Sequence, residues 1–263
     1  MNNARVQVLV AAMDQKDHAL LDKMNINSDV IVGNQCSYNS VERFIYKSYD
    51  AIYLNFNEKG VGLNRNNSLM RATGDICLFA DDDMRYVENY DQKIKRAFEK
   101  YSDADVIVFN LIEKKPTRYI IKRAHRVNWL NYLRYGTARI AIRLEAIKKH
   151  AIYFNQCFGG GTEHAHGEDN LFLTACLKNK LKIYALPIAL AELTEEREST
   201  WNRGYDEKYF YDQGTLYKAI TKKWWKFLCL QDAIRHAKIY NKSPQKSYQE
   251  MTRNRQDENK TFL

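Results

Sequence analysis

Short apolar runs, each ended by polar residues and followed by a helical period, recur through the first hundred positions. Residues 5–12, rich in Val and Leu, predict a strand, 13–17 a polar loop, and the next stretch a helix running to about Met24. Val30-Ile31-Val32 repeats the pattern and leaves it at Gly33-Asn34-Gln35. Residues 51–56 predict a third strand, after which Gly60-Val61-Gly62-Leu63 turns the chain into a helix that holds Arg65, Asn66 and Asn67 and stops at Gly74. The apolar run after Asp75 ends in Asp81-Asp82-Asp83. Strands alternating with helices predict βαβ units, and so an α/β fold with a Rossmann-like, mainly parallel sheet flanked by helices.

The pattern continues with an amphipathic helix over 90–101 and a strand over 105–109. Residues 113–135 are basic, aromatic and weakly periodic, which predicts an excursion from the sheet. A strand over 138–143 and a short helix over 144–150 follow, then Phe158-Gly159-Gly160-Gly161-Thr162, His164 and His166, Gly167-Glu168-Asp169-Asn170, and an apolar helix over 171–177. The last strand, 182–187, is expected to stop at Pro187. From residue 194 the chain turns helical, aromatic and basic, and after about residue 242 it reads as a frayed polar end. The expected organisation is one α/β domain over 1–193, with halves at about 1–110 and 111–193, and a helical C-terminal region over 194–263.

Composition adds bounds. The chain has 263 residues, 45% of them hydrophobic, and a mean hydropathy of -0.59, which describes a globular chain able to bury a sizeable core. The first fourteen residues carry too short an apolar run for a signal sequence or a membrane span, so a cytoplasmic protein is expected. Cys36, Cys77, Cys157, Cys176 and Cys229 are odd in number and lack CxxC spacing, which argues for reduced packing residues. Of the formal net charge of +9, about +6 falls in residues 197–263. An anionic membrane surface is one partner for that tail. Packing on the domain or on a second copy as a homodimer is another, and nucleic acid is a disfavoured third.

Three adjacent carboxylates at a strand exit repel one another, and a divalent cation offsets that charge. A solvated acidic turn that caps the next helix is the plainer alternative. Their position favours a ligand role, because ligands of open α/β sheets bind beyond the carboxyl ends of the strands. At the second region the glycine run lets backbone approach a ligand closely, while Glu168 and Asp169 stand in a first helical turn, where dipole complementation alone also accounts for them.

The glycine turn at 60–63, Arg65-Asn66, Thr73-Gly74-Asp75, the apolar strand, Asp81-Asp82-Asp83 and, about 85 residues later, Gly167-Glu168-Asp169 together resemble a family 2 glycosyltransferase of the GT-A fold over roughly residues 5–187. The stretch from Glu198 and Trp201 to Tyr211 is similar to the tail of bacterial members that build capsule or lipopolysaccharide. The resemblance implies inverting transfer from a nucleotide-diphospho-sugar, a UDP-sugar above all, to a glycan or lipid-linked glycan. Asp169 then matches the general base, and Asp83 the ligand of a catalytic Mn²⁺ or Mg²⁺ ion. Asp81 and Asp82 match ribose or water-mediated metal contacts. Ala11, Ala12, Asp14, Asn34, Gln35 and Arg65 line the nucleotide, and Gly160, Gly161, Glu168 and Trp201 the acceptor. Asn34-Gln35 stands where members commonly carry Asp, and an amide can pair with a uracil edge. His164 and His166 read as acceptor-side or structural rather than as metal ligands.

Two other readings are weaker. A sugar nucleotidyltransferase needs a glycine-rich phosphate loop after the first strand, and Ala11-Ala12-Met13-Asp14-Gln15 has no glycine. A non-catalytic basic carbohydrate- or nucleic-acid-binding protein suits the charge but gives no reason for acids at both a strand end and a helix start.

Overall fold

The computed structural model describes residues 4–116, 118–194 and 204–253. Trp201 and the 198–203 part of the tail motif lie outside them. The chain forms two compact units, Met1–Gln156 with Glu168–Glu198, and Cys157–Gly167 with Ser199–Leu263.

The first unit is built on a ten-stranded sheet. Its strands are β1 (Val6–Met13), β2 (Asp29–Gln35), β3 (Ser40–Tyr46), β4 (Tyr49–Phe56), β5 (Ile76–Asp81), β6 (Met84–Tyr86), β7 (Val106–Ile112), β8 (His125–Val127), β9 (Ile140–Arg143) and β10 (Ile183–Leu193). The order is β3-β4-β2-β1-β5-β9-β7-β10-β6, with β8 on β10. The pairs β4-β2, β2-β1, β1-β5 and β7-β10 are parallel, and antiparallel β9 joins the two groups. Six strands therefore share one direction, while β3, β6, β8 and β9 oppose it.

Alternation along β1 shows how the sheet is covered. Val8 and Val10 join one apolar layer, with Leu20 and Leu21 of α1 (Leu20–Lys23) and Ile94 and Phe98 of α3 (Tyr90–Lys100). Leu9 joins the other, with Leu69 of α2 (Val61–Arg71), Ile147 of α4 (Leu144–Lys149) and Phe172 of α5 (Glu168–Lys178). Helices on both faces explain why β1 is apolar throughout except at Gln7, whose Oε1 accepts from the Thr73 and Gly74 N–H groups.

The chain proceeds outward from β1 to β2 and β4, then crosses back to β5 on the other side of β1. That reversal opens a crevice at the carboxyl ends of β1 and β5, where Ala11 and Asp81 are register partners.

Several expected boundaries shift. The helix expected directly after the acids is preceded by β6, so the acids do not cap it. β10 does not stop at Pro187. Two register irregularities, between Ala185 and Ala189 and between Ala189 and Ala191, take up the extra residues and let a residue without N–H sit in the strand. Nor are the described residues after Lys242 a frayed end: α9 (Pro244–Thr252) starts at Ser243, whose side chain accepts from the Lys246 N–H, with proline in its first turn.

The second unit packs α9 with α6 (Glu207–Ile220), α7 (Trp225–Arg235) and α8 (Ala237–Tyr240). Ser247 and Met251 of α9 are buried, at 0 and 2% exposed. An exposed polar surface hides these two anchors from a reading of periodicity.

Candidate active site

The sheet reversal brings four strand exits together, and the side chains there bond mainly to one another. Asn34, at the end of β2, is fully buried. Its Oδ1 accepts from the Gln15 N–H at 2.9 Å, and its Nδ2 donates to the Gln15 carbonyl at 2.9 Å and to Asn55 Oδ1 at 2.8 Å. With both amide hydrogens used inside the protein, Asn34 does not meet a nucleotide base in this arrangement. It is a strut for the loop after β1. Gln35 is also drawn inward through Oε1, which accepts from the Gly60 N–H at 2.9 Å. The Asp14 N–H donates to the Gln35 carbonyl at 2.9 Å, and the Asp14 side chain is exposed. Ala11 and Ala12 are buried, so that edge of the crevice offers backbone and the loop that follows.

Gly60 has φ of 117°, a conformation open to glycine, and it starts α2 at an angle that carries polar residues into the core. Asn66 locks the helix in place: its Nδ2 donates to the Phe154 carbonyl at 2.9 Å, and its Oδ1 accepts from the Phe154 N–H at 2.8 Å. One turn of this helix then delivers Arg65, only 5% exposed, to the acids.

Arg65 joins the two acidic motifs. Its Nη2 lies 2.7 Å from Asp81 Oδ1 and its Nη1 lies 2.8 Å from Glu168 Oε1. A planar guanidinium presents its two Nη groups in a fixed fork that spans the two carboxylates, a geometry that the compact ammonium of a lysine does not reproduce. Arg65 is thereby committed to protein carboxylates instead of base or phosphate, Asp81 is turned to Arg65, and Glu168 is fixed from outside its own helix.

Asp169, the second residue of α5, accepts at Oδ1 from the Asn170 N–H at 2.7 Å. A Cβ on Gly136 would come within 3.5 Å of its Oδ2, so backbone stands close behind the carboxylate. Asn170 Nδ2 donates to the Leu133 carbonyl at 3.2 Å, which ties α5 to the basic excursion. Part of Asp169 stays accessible, yet dense surroundings push its carboxyl up to about 7, with the Glu168 charge as the next cause.

Asp83 is partly buried, and its carboxyl is pushed up to about 6, by burial first and then by the charges of Asp81 and Asp82. Thr194 holds its backbone, donating from N–H and Oγ1 to the Asp83 carbonyl, both at 2.8 Å. Its carboxylate enters no ion pair among the described residues. Asp82 Oδ2 accepts from the Met13 N–H at 3.4 Å and from Gln15 Nε2 at 3.3 Å.

No group of three or more His, Cys, Asp or Glu among the described residues is arranged to cage a metal ion. The donor set still fits a hard dication held through Asp83. The carboxylate oxygens are of the right class, the local charge is negative, and a diphosphate would complete the shell.

Gly160 and Gly161 fall in the second unit, in a loop closed by the Gly159 N–H donating to the His164 carbonyl at 2.8 Å. His164 Nδ1 lies 2.9 Å from Asp212 Oδ1, and His166 Nε2 lies 2.7 Å from Gln213 Oε1. Both histidines therefore bond to α6. Asn55, Gly136 and Thr194 escaped the sequence reading, and Gln15 and Asn66 appeared there only as parts of the loop after the first strand and of the Arg65-Asn66 motif.

A family model described as glycosyl transferase family 2 matches residues 10–161. Among solved structures, TarS 1-349 of S. aureus in complex with UDP-GlcNAc superposes with a TM-score of 0.63 at 18% identity, covering 97% of this chain and 77% of that one. The same TarS fragment in complex with UDP gives 0.60 at 19% identity, covering 89% and 72%. Without a ligand named it gives 0.61 at 17% identity, again covering 89% and 72%. At these identities the likeness is one of fold. No curated protein matches the sequence.

Proposed function

Because the chain belongs to glycosyl transferase family 2, we propose that its glycosyl transfer uses a nucleotide-diphospho-sugar, specifically a UDP-sugar, and a glycan or lipid-linked glycan of a bacterial surface polysaccharide as acceptor. The observation that carries this reading is the Arg65 bridge, which brings the acidic exit of β5 and the acidic start of α5 to one place. UDP as the leaving group is supported by the two fold neighbours whose complexes contain UDP or UDP-GlcNAc.

In this mechanism the donor lies along the carboxyl ends of β1 and β5, and the acceptor hydroxyl approaches Asp169. Asp169 takes the hydroxyl proton as the new C–O bond forms on the face opposite the breaking bond to the diphosphate. A carboxyl raised to about 7 is well matched to that task near neutral pH. Arg65 orients the helix start through Glu168 Oε1. Asp83 would hold Mn²⁺ or Mg²⁺, which supplies charge neutralisation for the departing diphosphate. Arg118, whose charge lowers the Asp83 carboxyl against burial and the neighbouring acids, is itself paired with Glu113 at 2.9 Å. Five cysteines outside any disulfide suit a reducing compartment, and the cytoplasm is the proposed location.

Thermal shift with a panel of nucleotide sugars, each with and without Mn²⁺, tests the reading. One UDP-sugar should raise Tm by several degrees only when Mn²⁺ is present. A flat response across the panel contradicts it.

A further inference from the structure

Helix α7 carries apolar side chains that stay in solvent. Trp224, Phe227, Leu230 and Ile234 are 59, 59, 43 and 59% exposed, and Ile239 in α8 is another 59%. At about 100° per residue, these four positions form a stripe about 120° wide. The stripe lies opposite Cys229, Asp232 and Ala233, which are buried. By the same geometry Lys226 borders one side and Arg235 the other, both exposed, and Lys222, Lys223 and Lys238 extend the rim at the ends. Lys223 Nζ already rests 5.2 Å from the Trp224 ring centroid.

Charge narrows the occupant. Residues 222–238 contain five Lys and Arg and one acid, Asp232. That acid is buried and accepts from His236 and Tyr240, so no exposed carboxylate within this stretch offsets the cations. A second copy pairing face to face would set the same basic rims against each other. A nucleic acid would meet the lysines and leave Phe227, Leu230 and Ile234 in water. A lipid surface meets both halves: acyl chains cover the apolar stripe, indole sits at headgroup depth, and lysine reaches anionic headgroups. Of the described helices, none is long and apolar enough to cross a membrane, so the helix would lie in the interface plane.

We propose that the exposed face of α7 and α8 is a docking surface for an anionic lipid bilayer. The attachment is a property of the second unit and is independent of whether the transfer reaction is read correctly.

Co-sedimentation of the full-length protein with vesicles of phosphatidylcholine, with or without phosphatidylglycerol, tests it. Binding should require the anionic lipid, weaken steeply with salt, and fall at least about tenfold when Lys222, Lys223 and Lys226 are changed together to Gln. Phe227→Ser with Ile234→Ser should abolish it while circular dichroism stays native. Brominated lipid should quench tryptophan emission of the unaltered protein, which keeps the test open should either variant misfold. No binding at low salt, equal binding to neutral vesicles, or folded variants that bind like the parent overturn the proposal. So does lipid-free dimerisation that Phe227→Ser with Ile234→Ser removes, since a second copy would then occupy the stripe.

Discussion

Arg65 holds two carboxylates that lie far apart in the chain, and its removal tests that role. Arg65→Met leaves Glu168 and Asp81 facing each other without a cation, which should cost about 3 kcal/mol, read as a lowered urea midpoint. Arg65→Lys should recover only part of the loss, because a single nitrogen does not reproduce the fixed fork that reaches both partners through separate Nη groups. Asp169 makes a pH prediction. As a base it must be ionised, so kcat should fall as pH drops below about 7. Glu168→Gln removes the neighbouring charge and should move that acid limb to lower pH. The stability effect has the opposite sense to a salt-bridged acid. The folded carboxyl ionises near 7 and the unfolded one near about 4, so the folded state binds the extra proton between those values and loses stability as pH rises through them. Asp169→Asn should therefore stabilise the fold at pH 8. The gain is about 1–2 kcal/mol after allowance for the residual solvent contact of Asp169, and it should vanish near pH 4. Thermal melts at the two pH values measure it.

Among the elements, the crossing of α6 and α9 is the most sharply constrained. A Cβ on Gly214 would stand 1.8 Å from the Met251 carbonyl oxygen, which is backbone and cannot rotate away. Gly214→Ala should force the helices apart and cost about 2–3 kcal/mol, seen as a lower Tm with α9 exchanging its amide hydrogens first. That crossing was invisible in the sequence, where Gly214 sits in a helical period and α9 reads as a polar end. The central strands were legible because β1, β2, β4 and β5 are buried on both faces and so read as apolar runs. β3 was missed because it is an edge: Val41 and Ile45 are 49 and 68% exposed, so burial does not impose the usual alternation. β6 and β8, three residues each, are too short to show a period. The acids themselves were legible, but their partners were not: Arg65 and Glu168 are 103 positions apart, and no local pattern links them.

For the molecule as a whole, the two units carry separate chemistries. The first combines a mixed sheet, mostly of parallel strands, with the acids and Arg65 at its carboxyl edge. The second places an apolar and basic helix face in solvent. The family assignment accounts for the first, and sequence resemblance reached it because the motifs stand at strand exits whose order the fold dictates. The roles within the site turn on Asp169. Calorimetry of UDP-sugar binding in the presence of Mn²⁺, run beside the rate of UDP release with acceptor, separates binding from chemistry in Asp169→Asn. The donor Kd should stay within about threefold of the unaltered protein while turnover falls by about a hundredfold or more. Loss of donor affinity in parallel with rate, or an active Asp169→Asn beside a dead Glu168→Gln, would contradict Asp169 as the base.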